Sequence, residues 1–321
     1  MKLLKAAAAA AFTLATILTV SSLPTAAQAS GATLRYGHVN SGSAEPLDEI
    51  GWGLHRGIIQ EELKKIGITE ITVAPGMVGP DLNDAINSGS LDLVTYGDGP
   101  AVVARAIGTP TRLIDFSSVT RQSIIVTRPD WPQDIKSLDG KKIAVVVGST
   151  MHRQTEEFLK NNGVNATFVS GGNDLSLLQS GTVDAIAGWP YGAQLYLLIH
   201  EKGYKVIFDS ADHPSYAWSL LSASSEDFLK LHPDLPRAWA TARAKATEDL
   251  LANQDEFYAW FGSKSGVDAA LAKALFPADQ IARGTEEEFA QGTQLIETAK
   301  AILLKSGRIQ EDFPVAEWVA R

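Results

Sequence analysis

The sequence predicts a two-lobed α/β protein in which each lobe is a mostly parallel sheet flanked by helices, with two crossover segments and a helical C-terminal tail. Three observations predict it: a supersecondary unit that occurs twice, a βαβ order that repeats, and a last third without strand alternation. The unit runs Asn87-Ser88-Gly89-Ser90-Leu91-Asp92-Leu93-Val94 into Thr95-Tyr96-Gly97-Asp98-Gly99-Pro100. Ninety-two positions on, Gln179-Ser180-Gly181-Thr182-Val183-Asp184-Ala185-Ile186 runs into Ala187-Gly188-Trp189-Pro190-Tyr191. Each copy closes a helix with a small-residue turn, gives a short strand, and opens another helix through a Gly/Pro turn. The spacing is too long for a solenoid repeat and suits one lobe of an α/β protein. Two similar lobes imply a cleft between them.

The elements follow in order. Leu34 to Val39 alternates as a strand, and Trp52 to Ile66 carries Leu54, Ile58, Ile59, Leu63 and Ile66 at helical spacing, which predicts one helix stopped by Gly67. Ile71 to Ala74 is a second strand, and a helix from Asp81 leads into the first repeated unit. Asp98-Gly99-Pro100 opens the next helix, with proline in the first turn, where its missing N–H costs nothing. Arg112 to Phe116 and Ser123 to Arg128 read as extended. Ile143 to Val147 runs into Gly148-Ser149-Thr150 and a helix to Asn161, Ala166 to Val169 is a strand, and Tyr204 to Asp209 and Tyr216 to Leu221 end the series. Beyond Ser224 the pattern is helical: Glu226 to Leu231, Leu235 to Phe261, Val267 to Leu275 and Thr285 to Lys305. These helices are expected around the first lobe, because a chain that leaves it near 120 returns near 212. The expected lobes are 30–119 plus 213–321, and 120–212.

The 321 residues, 45% hydrophobic and 20% charged, have ordinary globular composition and ample length for two cores. Residues 1–29 differ. Lys2 and Lys5 form a positive start, Ala6 to Val20 an apolar run, and Ala27-Gln28-Ala29 a small-residue site, which reads as a secretory signal cleaved after Ala29. About fifteen apolar residues interrupted by three threonines fall short of the roughly twenty that span a bilayer. With no cysteine there is no lipid anchor at a cleavage-site thiol, no disulfide and no thiolate metal site. Losing Lys2 and Lys5 takes the formal charge from −9 to −11. Such a surface repels nucleic acid and anionic lipid, so a bound anion must be held locally.

Gly79-Pro80-Asp81-Leu82, Ala85 to Asp92 and Gly97 to Pro100 together resemble the first-lobe signature of the alkanesulfonate- and taurine-binding proteins of ABC importers. Leu138-Asp139-Gly140-Lys141-Lys142-Ile143-Ala144-Val145 with Gly148 to His152 resembles the start of their second lobe, and Ser180 to Ala185 with Trp189-Pro190-Tyr191 its closing motif. Phe228 to Pro233 resembles the start of their helical tail. The resemblance implies a type II-like periplasmic-binding-protein fold and a monomeric, periplasmic receptor for a small organic anion that docks on permease subunits, with no cofactor, metal or nucleic-acid partner. It covers the sulfonate, taurine, nitrate and thiamine-precursor binders as a group, so nitrate, an aromatic carboxylate or a pyrimidine stays open as ligand. One departure counts: those relatives often carry Trp-Asp-Pro-Tyr where Trp189 is followed directly by Pro190, so a carboxylate that could meet a ligand amine is missing.

Open α/β sheets bind ligands at the carboxyl ends of their strands. The candidates there are Asn40, Ser41, Gly79, Pro80, Tyr96, Asp98, Gly148, Ser149, Thr150, His152, Trp189 and Tyr191, with Trp52 before a helix and Arg121 between the lobes. Glycine-flanked helix starts offer backbone N–H groups to an anion, though Ser149 and Asp98 equally suit plain helix capping. Trp189, Tyr191 and Tyr96 would wall an organic tail, and Arg121 could pair an anionic head bidentately. His152 reads as a hydrogen-bonding group, not an acid, base or metal ligand. Two other functions are possible on such a fold. Against an enzyme on this fold stand the export signal and this chain's lack of a Cys, a His pair or a Gly-x-Ser-x-Gly elbow; against a regulator's sensing domain stands its lack of a helix-turn-helix and a basic face.

Overall fold

Among the described residues, ten strands fall into two five-stranded sheets of identical order. The computed structural model describes residues 31–39, 43–172, 174–278 and 281–321, and the segment 1–29, expected to be a signal, lies outside them. The first sheet runs β2 (Ile68–Val73), β1 (Ala32–His38), β3 (Leu93–Gly97), β10 (Trp218–Ser225), β4 (Thr111–Arg121). The second runs β7 (Thr167–Ser170), β6 (Lys142–Val145), β8 (Ala185–Gly188), β5 (Ile124–Thr127), β9 (Lys205–Asp209). In each, the first three strands are parallel and the fourth is antiparallel to both its neighbours. That fourth strand is the one the chain forms directly after crossing from the other sheet, so the expected crossovers lie at β4–β5 and β9–β10.

The repeated unit supplies β3 and β8, and its aspartates do the same work in both sheets. Asp92 accepts from the backbone N–H of Arg35 on β1 at 2.8 Å, and Asp184 from that of Lys142 on β6 at 3.0 Å. Each carboxylate fixes the turn before the strand to the neighbouring strand. Asp92 also holds the Arg35 guanidinium.

Two predicted helices are broken. The segment read as one helix from 52 to 66 is α1 (Glu49–His55) and α2 (Ile58–Lys64), separated by Gly57 in the left-handed region at φ 77°. Periodicity survives the break because both helices bury their apolar faces against one partner, α9 (Leu235–Ala252). The long tail helix likewise ends at Asn253, whose φ of −126° and ψ of 43° are not helical, and resumes as α10 (Gln254–Ser265).

Helices α3 (Gly79–Asn87) and α4 (Asp98–Ala106) follow β2 and β3. Helices α5 (Thr150–Asn161), α6 (Ser176–Gln179) and α7 (Ala193–Lys202) serve the second sheet, and α8 (Glu226–Leu231) follows β10. In the tail, α9 packs with α1, α2 and β4, and α12 (Glu286–Lys305) with α4, β4 and β10. The short α13 (Val315–Trp318) seats Trp318 in the core. The expectation that the whole tail surrounds the first lobe is too narrow: α11 (Ala269–Leu275) touches α7, and the cluster of Trp52, Phe257, Trp260 and Phe276 takes in Ala193 and Tyr196 from that helix.

Helix α12 starts in a capping box, in which Thr285 Oγ1 accepts from Glu288 N at 3.1 Å and Glu288 accepts from Thr285 N at 2.9 Å. Thr285→Ala leaves the Glu288 N–H without its acceptor and should cost about 1 kcal/mol. The check is a urea midpoint that falls with an unchanged slope.

Candidate functional site

β4 ends at Arg121 where the chain leaves the first sheet, and β8 ends at Gly188 in the second. Between these ends lies a cavity of about 30 Å³, lined by Glu49, Ser117, Ser118, Thr120, Arg121, Gln122, Trp189, Tyr191, the segment Leu275-Phe276-Pro277 and Ile281. The Arg121 guanidinium lies 4.8 Å from the centre of the Trp189 ring, within cation–π range. The Trp189 and Tyr191 rings meet edge to face at 5.7 Å. A cation is thus held between the sheets by an aromatic wall from one and a strand end from the other.

Among the described residues, three that line this cavity carry a buried side-chain atom without a hydrogen-bond partner: Glu49 Oε1, Ser117 Oγ and Arg121 Nε. Buried polar groups are normally satisfied, because an unmade bond costs about 1–3 kcal/mol each. All three belong to residues around one small space. Burial lowers the Arg121 pKa, against the opposing pull of Asp48, Glu49 and Tyr191. Burial, helped by Asp48, lifts the Glu49 carboxyl to about 8, with Arg243 and Arg121 opposing it. Among the described residues, no group of three or more His, Asp or Glu side chains could hold a metal ion.

The strand-end residues of the first sheet meet the second sheet elsewhere. Asp98 does not cap α4; it accepts from Thr150 Oγ1 at 2.9 Å, from Arg153 Nη2 at 3.3 Å and from Ser219 N at 3.0 Å. Thr150 Oγ1 in turn accepts from Gly99 N at 2.8 Å. This carboxylate, fully buried, sits at the start of α5, where helix N–H groups and a guanidinium favour an anion. Nearby, Gly148 adopts φ 83°, and a Cβ built on it would come within 2.9 Å of Pro80 Cγ, so only glycine suits the position.

The other candidates fall into plain structural places. Ser149 caps α5 by accepting from His152 N at 3.2 Å. His152 Nδ1 accepts from Gly148 N at 3.1 Å, and the ring lies against Phe168 and beside Arg308; burial and Arg308 lower its pKa. Gly79 begins α3 against the Pro100 ring. Trp52 is 1% exposed and donates to Asp249 at 2.8 Å, and Tyr96 lies wholly within the first core. Asn40 and Ser41 lie outside the described residues. So the structure brings Arg121, Trp189 and Tyr191 together and gathers Pro80, Asp98, Gly148 and Thr150 at a second meeting point. Sequence reasoning missed Glu49, which reads as an ordinary first-turn acid, and the Leu275-Phe276-Pro277 segment, which carries no local signal.

The NMT1/THI5-like family model matches residues 67–257, more than half of the chain. The chain belongs to the NMT1/THI5-like family. A putative aliphatic sulfonates-binding protein of Escherichia coli (strain K12) is 28% identical over 207 residues, 62% of this chain and 61% of that protein. The chain spans 56–63% of the length of the curated relatives it matches. Among solved structures, the alkanesulfonate-binding protein from Xanthomonas axonopodis pv. citri bound to MOPS superposes with a TM-score of 0.74 at 20% identity, covering 91% of this chain and 99% of that one. A desulfurization enzyme superposes at 0.63 and 17% identity, covering 90% and 96%. The periplasmic-binding-protein fold expected from the sequence is therefore the fold of this family member, and an enzyme also uses it.

Proposed function

We propose that the chain is an extracytoplasmic solute-binding receptor that closes on a small organic anion of the sulfonate type and delivers it to an ABC permease. The single observation behind this reading is the cavity at the end of β4, where a stacked guanidinium and unpartnered buried polar atoms face one small space between the sheets. Arg121 would hold the anionic head, Ser117 would donate to it, and Trp189 with Tyr191 would wall the organic part. At about 30 Å³ the cavity has room for little more than a water molecule, so it must widen to admit an organic anion. The relatives named for sulfonate and taurine binding support the ligand class.

In this reading residues 30–119 with 213–321 form one lobe and 120–212 the other, and opening bends 117–122 and 207–214. Residues 1–29 serve export to the periplasm and are removed after Ala29. The receptor works as a monomer and turns nothing over. The related desulfurization enzyme was solved as a cysteine variant with biphenyl-2-sulfinic acid, whereas this chain has no cysteine.

A thermal-shift panel of ethanesulfonate, taurine, nitrate, benzoate and a thiamine-type pyrimidine tests the proposal. A ligand at a hundred times its Kd stabilises the folded state by about 2.7 kcal/mol, which such a screen resolves. The expected result is a shift with ethanesulfonate. No shift with any compound, or release of a product, would sink the receptor reading.

A further inference from the structure

Glu49 differs from the other polar groups of the cavity in being an acid placed where an anion is to sit. It occupies the first turn of α1, is 2% exposed, and leaves Oε1 without a hydrogen bond. Its nearest cation, Arg243 Nη1, is 3.7 Å away and is committed elsewhere: Arg243 Nε donates to Asp115 Oδ2 at 2.5 Å and Nη2 to Asp115 Oδ1 at 3.3 Å. Asp48 Oδ1, beside it in the chain, is taken by Ile50 N and Gly51 N at 3.1 Å each.

The charged and titratable groups around Glu49 are Asp48 ahead of α1, Tyr36 on β1, Asp115 and Arg121 on β4, Arg243 on α9 and Tyr191 after β8. With Glu49 neutral, the two guanidiniums balance the carboxylates of Asp48 and Asp115. An entering monoanion then leaves one uncompensated charge. With Glu49 ionised it leaves two in a buried space, a cost that proteins avoid by protonating the acid. A ligand ammonium gains little in exchange, because it reaches Glu49 only beside two guanidiniums.

We infer that Glu49 is a specificity-determining residue of the cavity: as the neutral acid it turns its O–H to the anion held by Arg121, so the site selects a monoanionic head without a neighbouring ammonium and, where the free protein has lost that proton, takes it up again on binding. This rests on reading the cavity as the ligand site. The sign follows from the charges. A bound anion raises the Glu49 pKa further, so affinity is level while the free protein already carries the proton and falls as pH rises through the free value of about 8.

Calorimetry on the full mature chain tests this, with ethanesulfonate between pH 6 and 9.5 in pairs of buffers of different ionisation heat, and with taurine at pH 7. The expected Kd for ethanesulfonate is level below about pH 8 and rises roughly tenfold per unit above it, with proton uptake in the buffer comparison. Taurine is expected to bind at least about tenfold more weakly, roughly the effect of one unfavourable charge contact. Glu49→Gln, a neutral donor of the same length, should flatten the profile. A level wild-type profile without proton uptake overturns the inference, as do an undiminished slope in the Gln variant or tighter taurine binding with proton release. The buffer comparison needs only the wild-type protein, so it stands if the variant fails to fold. If the wild type binds no compound of the panel, the receptor reading falls and this one with it; binding with a level profile removes the proton coupling alone.

Discussion

Arg121→Ala should weaken ethanesulfonate binding roughly 30- to 1000-fold, about 2–4 kcal/mol. The guanidinium is the group that faces the cavity with an unpartnered buried nitrogen and an aromatic ring across it. Removing it takes away the counter-charge that the proposed anion meets in the cavity. Arg121→Lys keeps the charge but loses the planar fork and the stacking on Trp189, so it should recover only part of the affinity. Calorimetry on the three proteins decides the matter, provided their melting temperatures show that the fold is intact. An Arg121→Ala protein that binds as tightly as the parent would move the site away from this cavity.

Arg243→Ala should be the more damaging change to stability, costing about 3–5 kcal/mol. Arg243 is 1% exposed and ties α9 to β4 through Asp115, with a further bond of 3.4 Å to the Ala282 carbonyl. Without it Asp115 stays buried with its charge unmatched, and the pKa of Glu49 loses its main downward pull. The measure is the urea midpoint. Asp115→Asn should relieve part of the loss when combined with Arg243→Ala, because the double change removes the stranded charge as well as its partner. A single variant that unfolds at the parent's midpoint would show that the pair contributes nothing net.

The fold was largely legible because its signals are local. The doubled small-residue turn with its aspartate marks β3 and β8, and the helix–strand alternation on either side gives the order of both sheets. The breaks at Gly57 and Asn253 were not legible, since helical periodicity continues across a kink when both halves face one partner. The site was legible only in part. Arg121 ends a strand at a crossover, and Trp189 follows one between Gly188 and Pro190, where chain geometry restricts which way a side chain can face. Trp52 and Tyr96 have similar flanks, yet the structure places both in cores, because the facing of an aromatic depends on helices that arrive two hundred residues later. Glu49 was invisible for the complementary reason: an acid in a first helical turn is ordinary, and its burial is created by β4 and α9. Asp98 shows the limit of capping rules, because Thr150 and Arg153 from the other sheet compete successfully for its carboxylate.

The exchange of fourth strands has a consequence for the order in which the chain can take shape as it is made. All five strands of the second sheet lie within one uninterrupted stretch, from Ile124 to Asp209, so that sheet is complete as soon as Asp209 is available. The first sheet has β1 to β4 in hand much earlier, but β3 and β4 are joined only through β10, which arrives with Trp218–Ser225. The half that is synthesised first must therefore wait with a slot open at its centre, and the later half can finish before it. Domains usually mature from the N-terminus onward during synthesis; here the threading of the chain reverses that order.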